Sequence, residues 1–255
     1  MTRLPLMGLS ISTGAYHQFV DTIMQQAIEG RWSYTCIANV HMLMEAHRNR
    51  SFAQVVNGAA VVTPDGMPLT WALRHLRGMK QERVAGMDLL PDLLQQAQMQ
   101  QLPVFFYGGQ EVLLQQLQRY LEVHYPGLPV AGMHSPPFRR LSPAEDAAVV
   151  HRINTSGARL VFVVLGCPKQ EQWMAAMQGR INAVLVGVGG AVPVLVGAQR
   201  RAPVWMQRSG LEWAYRLAQE PRRLWKRYVS TNTRFMLLFA KAYLQNKKQT
   251  YISGR

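Results

Sequence analysis

Thr63-Pro64-Asp65-Gly66-Met67-Pro68 places a carboxylate directly after a short β-type run, Ala59–Val62. An open α/β sheet meets its ligands just beyond the strand ends, and one carboxylate there suffices for general-base work. On these residues alone Asp65 is first a turn residue, because aspartate hydrogen-bonds its own local backbone. Gly166-Cys167-Pro168-Lys169-Gln170-Glu171 follows the strongest β-branched run of the chain, Arg159–Leu165, and offers a cation, an amide and a carboxylate. It also reads as an ordinary exposed helix start, with Glu171 well placed for the helix dipole. Gly187-Val188-Gly189-Gly190-Ala191-Val192 carries two glycines of the dinucleotide pattern G-x-G-x-x-G, but Val192 stands in the third place. The acid needed roughly 20 residues on is not supplied either, since Glu212 belongs to a different, aromatic segment. What remains is a glycine turn suited to approach a phosphate. No Walker A pattern is present.

Metal chemistry is not expected. The seven histidines (17, 41, 47, 75, 124, 134 and 151) form no H-x-x-x-H pair, and the five aspartates form no Asp-x-Asp. A nucleotide diphosphate would then be neutralised by arginine, lysine and backbone N–H groups, with no metal and no cofactor. Cys36 and Cys167 are too few for a disulfide framework and read as small apolar residues, which suits a reducing compartment. Methionine (14 residues) is scattered as core filling.

The elements that must position these groups follow from periodicity. Tyr34–Ala38, Ala59–Val62, Pro103–Tyr107, Leu128–Ala131, Arg159–Leu165 and Ala183–Val188 read as strands. Between them lie helical patterns at Gln110–His124, from Ser142 (a capping box, with Pro143 at the first helical position) to Asn154, and at Gln170–Gln178. This alternation predicts a Rossmann-like α/β fold: a mostly parallel sheet with helices on both faces. Its strand ends present Asn39, Asp65, Gly108-Gly109, the Gly166–Glu171 segment and the Gly187–Gly190 turn.

The chain has 255 residues, 48% hydrophobic and only 16% charged, which excludes a disordered segment or a coiled coil. Its net charge of +14 is uneven: residues 1–198 carry about +3, and residues 199–255, with 13 basic and two acidic side chains, carry +11. That end should meet something anionic, either a membrane surface or nucleic acid. Trp205, Leu211, Trp213, Tyr215, Leu217, Leu224, Trp225 and Tyr228 are interleaved there with arginine and lysine, and Pro221 marks a helix boundary. The expected organisation is an α/β domain over residues 1–201 and a basic amphipathic helical appendage over residues 202–255. No signal peptide and no transmembrane span is expected, because the longest uncharged stretch, Ile181–Gln199, is broken by glycines and Pro193.

In this order the segments resemble the WecG/TagA/CpsF family of glycosyltransferases, over roughly Cys36 to Tyr228. The resemblance rests on Thr63–Gly66, Arg83-Val84-Ala85-Gly86-Met87-Asp88-Leu89, Val104–Gly109, Gly166–Glu171, Gly187–Gly190, Arg200-Arg201-Ala202-Pro203 and above all Gly210–Arg223. It implies inverting, metal-independent transfer of a hexose, N-acetylhexosamine or its uronic acid. The donor would be a UDP-sugar and the acceptor a polyprenyl-diphosphate-linked sugar, for surface polysaccharides. Asp65 matches the general base and Gln170 a residue that holds the sugar. Asn39, Arg83, Gly108, Gly109, Lys169, Gly187, Gly189, Gly190, Arg216 and Arg223 are the matching candidates for substrate binding. Two departures bear on the donor. Ile37 stands where the family commonly has threonine, and Val192-Pro193 where it has an aromatic residue and an aspartate. Both are compatible with a donor other than N-acetylmannosamine, glucose among them.

The resemblance also implies a peripheral protein on the cytoplasmic face of the plasma membrane, docked through Trp225, Arg227, Tyr228 and Phe235, with Leu238 and Phe239 beside them. Deleting residues 202–255 should then abolish transfer to a lipid acceptor. A homo-oligomer is compatible with the sequence. Two other readings stay open at this level: a basic nucleic-acid-binding module, for which no motif is present, and a nicotinamide-dependent oxidoreductase, for which the glycine pattern is incomplete. Salt-dependent duplex binding and an NADH titration separate them.

Overall fold

Apolar runs become buried strands when helices can cover both faces of a sheet, and this chain supplies enough helices to do so. The computed structural model describes residues 1–253, except the side chains of Arg223, Arg227 and residues 247–253. A hairpin, β1 (Thr2–Leu6) and β2 (Leu9–Thr13), precedes α1 (Tyr16–Ile28). Next come β3 (Ser33–Ala38), α2 (Val40–Arg48), α3 (Arg50–Asn57), β4 (Val61–Pro64), α4 (Met67–Arg77) and α5 (Gly86–Met99). Then strands and helices alternate: β5 (Val104–Gly108), α6 (Glu111–His124), β6 (Val130–His134), α7 (Pro143–Thr155), β7 (Leu160–Val164), α8 (Lys169–Met177), β8 (Val184–Gly187) and α9 (Ala191–Leu195). The described chain ends in α10 (Val204–Arg208), α11 (Glu212–Gln219) and α12 (Pro221–Ser253).

The main sheet has the order β4-β3-β8-β7-β5-β6, and every neighbouring pair is parallel. It is the Rossmann-like α/β sheet expected from the sequence. Alternate residues of each strand point to opposite faces. Tyr34, Cys36, Phe105, Tyr107, Val161 and Val163 enter one core with α2, α3, α4, α7 and α8. Ile37, Val61, Phe106, Phe162, Val184 and Val186 enter the other with α1, α5, α6 and α9.

Two strand expectations shift. Ala59 and Ala60 form the turn into β4, where Ala60 N–H donates to the Tyr34 carbonyl at 2.9 Å. Leu128 closes a turn on the Tyr125 carbonyl (3.0 Å), so β6 starts at Val130 and pairs with β5 through an irregular register at Val104/Phe105. The N-terminal hairpin is an addition that the alternation of strand and helix did not foreshadow.

The last helix lies on the α/β body. α12 packs across α2 and α4, and its Phe235 is only 5% exposed within the core. Phe235 is therefore not on a free surface, contrary to the docking role expected for it; Leu238 and Phe239 are partly buried against the same core. Helical periodicity explains this, because Phe235, Phe239 and Tyr243 recur every four residues and form one stripe. Consecutive rings along the stripe stand 6.2 Å apart, and His75 of α4 meets Phe239 and Tyr243 edge-on at 6.3 and 6.2 Å. Asn246 Nδ2 adds a hydrogen bond to the Leu76 carbonyl at 2.9 Å. Among the described residues of α12, the exposed large apolar ones are Trp225, Val229, Met236, Leu237 and Leu244. Tyr228 is half-buried against the Trp213 ring, 5.9 Å away. Among the described residues no helix is long and apolar enough to cross a membrane.

Candidate active site

β3 and β4 end side by side, with Ala38 opposite Pro64, so the residues that follow them share one rim of the sheet. Asp65 N–H donates to the Ala38 carbonyl at 2.8 Å, which pins the start of the turn. Gly66 then takes a left-handed φ of 94°, a conformation open to glycine, and starts α4. Asn39 stands beside this turn as the N-cap of α2, its Oδ1 accepting from Met42 N–H at 3.1 Å. The segment before α5 is stitched to β4 as well. Val84 N–H donates to the Pro64 carbonyl (3.0 Å), and Thr63 Oγ1 donates to the Val84 carbonyl (3.0 Å), which sets Arg83 next to Asp65.

Burial pushes the Asp65 carboxyl up to about 7, helped by the negative charges of Glu212 and Asp88 and opposed by Arg83 and Arg216. A carboxyl in that range is half ionised near neutral pH and can take a proton. Arg83 Nη1 donates to Glu212 Oε2 at 2.6 Å, and its Nη2 donates to Asp88 Oδ2 and Gln207 Oε1 at 3.1 Å each. Arg201 pairs with the other oxygen of Asp88. Beyond this network lies a cleft of about 500 Å³, lined by Tyr16, Met87, Pro91 and Asp92 together with the charged pairs.

The second half of the site forms where β7 and β8 end. Val188 and Gly189 N–H groups donate back to the Val163 carbonyl at 3.0 and 3.1 Å, closing the glycine turn on the neighbouring strand. Gln170, buried in the first turn of α8, spans the two strand ends. Its Oε1 accepts from Gly166 N–H (3.2 Å), and its Nε2 donates to the Gly187 carbonyl (3.3 Å) and to Glu171 Oε1 (2.7 Å). Glu171 is wholly buried, and burial raises its carboxyl above the usual range. Arg216 reaches this turn from α11: a Cβ on Gly190 would stand 2.8 Å from its Nη2.

The structure thus gathers Asn39, Asp65, Arg83, Gln170, Gly187, Gly189, Gly190 and Arg216 along one rim. Gly108 and Gly109 close β5 farther along it, with φ of 104° and 81°, and Ser135 Oγ donates to the Gly109 carbonyl at 2.7 Å. Lys169 is exposed at the start of α8. The side chains of Arg223 and Arg227 lie outside the described residues. Ile37 and Val192, at the two departures from the family pattern, are both buried in the apolar cluster beneath the glycine turn. Sequence reasoning passed over Glu212, Asp88, Gln207 and Arg201 as site residues. The one available signal was Glu212, one of only two acids in a strongly basic segment.

Known proteins resemble this chain over nearly its whole length. A family model described as "Glycosyl transferase WecG/TagA/CpsF family" matches residues 4–249. An N-acetylglucosaminyldiphosphoundecaprenol N-acetyl-beta-D-mannosaminyltransferase of Staphylococcus aureus (strain MW2) is 28% identical over 96% of this chain and 95% of its own. A protein of the same name from Bacillus spizizenii is 31% identical over 90% of this chain and 88% of its own.

Proposed function

Because the chain belongs to the WecG/TagA/CpsF family of glycosyltransferases, we propose that it moves a hexose, an N-acetylhexosamine or its uronic acid from a UDP-sugar to a polyprenyl-diphosphate-linked sugar. Anomeric configuration is inverted, and Asp65 is the base. The relatives' name, which specifies an undecaprenyl-diphosphate acceptor, supports the acceptor class. Asp65 takes the proton of the acceptor hydroxyl as that oxygen bonds to the anomeric carbon. The carbon–oxygen bond to UDP breaks on the opposite face, and its electron pair leaves on the diphosphate.

Asn39 is assigned to a hydroxyl group of the sugar, while Gln170, its amide engaged by Gly166, Gly187 and Glu171, supports the sugar site by bracing the two strand ends. Arg216, which reaches the Gly187–Gly190 turn, is the group suited to the diphosphate, as a charge-assisted donor needs no divalent ion. The exposed apolar and basic side of α12 suits the surface of the membrane that holds a polyprenyl acceptor, which makes the protein peripheral, on the cytoplasmic face. The observation that carries the reading is the place of Asp65 at the end of β4, pinned to the Ala38 carbonyl, with the Arg83 segment stitched to the same strand and the charges of Arg83 and Arg216 acting on it.

The test is UDP release from a panel of UDP-sugars in EDTA, with a short-chain polyprenyl-diphosphate-sugar as acceptor. Acceptor-dependent release with one donor is expected, and Asp65→Asn should lower turnover on the order of 10²–10⁴-fold while UDP binding persists. Retained turnover in that variant removes Asp65 from the base role.

A further inference from the structure

Two of the three acceptors that hold Arg83 come from the last helices of the chain: Gln207 on α10 and Glu212 on α11. The Glu212–Arg83 pair is shielded, with side chains 19% and 15% exposed, so its charges are weakly screened. Gln207 is itself tied down, its Nε2 donating to the Ala202 carbonyl at 2.6 Å. Gly210 lies against α4 so closely that a Cβ there would stand 2.9 Å from the Trp71 ring and 3.2 Å from Met67. The stretch from Gln207 to Glu212 therefore touches both the arginine beside Asp65 and the first turns of the helix that Asp65 precedes.

We infer that Glu212 is a positioning residue of the transfer: it holds Arg83 beside Asp65 and supplies the negative charge that Asp65 faces. This rests on the reading of Asp65 as base. The charged groups facing Asp65 are Glu212 and Arg216 from α11, Arg83 from the segment before α5, and Asp88 from α5. Glu212 has the largest effect of the four, and it acts in the same direction as burial. Without it the two arginines are opposed by Asp88 alone. Asp65 then ionises at lower pH and becomes a weaker acceptor for the proton. Arg83 then keeps only its two longer bonds, from Nη2 to Asp88 and Gln207, and its Nη1 end is held less firmly beside Asp65.

Glu212→Gln keeps the length and hydrogen-bonding capacity of the side chain and removes its charge, whereas Glu212→Asp keeps the charge one methylene back. Two readouts are needed on the full chain: ¹³C NMR titration of the Asp65 carboxyl carbon, and the pH profile of kcat/KM for transfer. In Glu212→Gln the Asp65 midpoint should fall by about one pH unit, and the acidic limb of the profile should fall with it. Glu212→Asp should lie between wild type and Glu212→Gln in both, and it carries the test alone where Glu212→Gln does not fold. UDP affinity should stay within about twofold, because the pair does not touch the glycine turn. An unmoved midpoint, with Asp65→Asn inactive, overturns the role of Glu212 and leaves the base intact. A midpoint that moves while the acidic limb stays put overturns both, since Asp65 is then not the base.

Discussion

At the scale of single residues, Gly190 and Gly108 separate binding from stability. A methyl group on Gly190 meets only the end of the flexible Arg216 side chain, at 2.8 Å. Gly190→Ala should leave the melting temperature nearly unchanged and weaken UDP binding about tenfold by calorimetry, as the guanidinium swings away. A methyl group on Gly108 meets the Val164 backbone at 2.8 Å, at a φ of 104°. Gly108→Ala should cost upward of about 2 kcal/mol and lower the melting temperature outright. Asp65 adds a pH-dependent stability effect. Its carboxyl is near its ordinary value when unfolded and up to about 7 when folded, so the fold disfavours its charged form. Stability is thus lost as pH rises through that interval and is unaffected below it. Asp65→Asn should raise the melting temperature at pH 8 and not at pH 3, as measured by calorimetry in parallel with the activity assay. The strand-end positions of Asp65, Gln170 and the glycine turn were legible because a strand end is a local feature of sequence, whereas the burial of Gln170 was not, since its segment reads as an exposed helix start. Glu212 was not, because its partner Arg83 lies 129 residues away and no local pattern joins them.

At the scale of elements, α4 is gripped at both ends by the last helices. Gly210 presses on its first turns, and the Phe239 and Tyr243 rings meet His75 near its last. The order of strands and helices was readable because periods of 2 and 3.6 are strong signals. Which side of α12 turns inward was not, because that helix carries apolar residues on both sides, and only the surfaces of α2 and α4 choose between them. Phe235→Ala and Trp225→Ala make the contrast measurable. Phe235 fills core space, and its loss should cost about 3–5 kcal/mol in denaturant unfolding. Trp225 is 50% exposed, and its loss should change stability by less than about 0.5 kcal/mol while weakening sedimentation with anionic vesicles.

At the scale of the whole molecule, charge and shape divide the work. Much of the +11 carried by residues 199–255 falls on α10, α11 and α12, where α12 completes the core and Arg216 and Glu212 of α11 reach the site. Deleting residues 202–255 therefore removes core packing, site residues and surface charge together, and loss of activity on deletion does not isolate docking. Vesicle binding that weakens steeply between low and high salt, in a protein with unchanged unfolding, is the cleaner test.

The aromatic stripe of α12 has one more consequence. Three ring-bearing residues spaced by four prevent the helix from rolling about its axis, so its outward apolar side keeps a fixed bearing relative to Asp65. On the proposed docking, a molecule resting on that side would hold its candidate catalytic rim at a constant height above the lipid, and its encounters with acceptor would take place in two dimensions. Its rate should then follow the mole fraction of acceptor in the surface. Dilution with inert lipid should slow it, and dilution with buffer at constant surface composition should not.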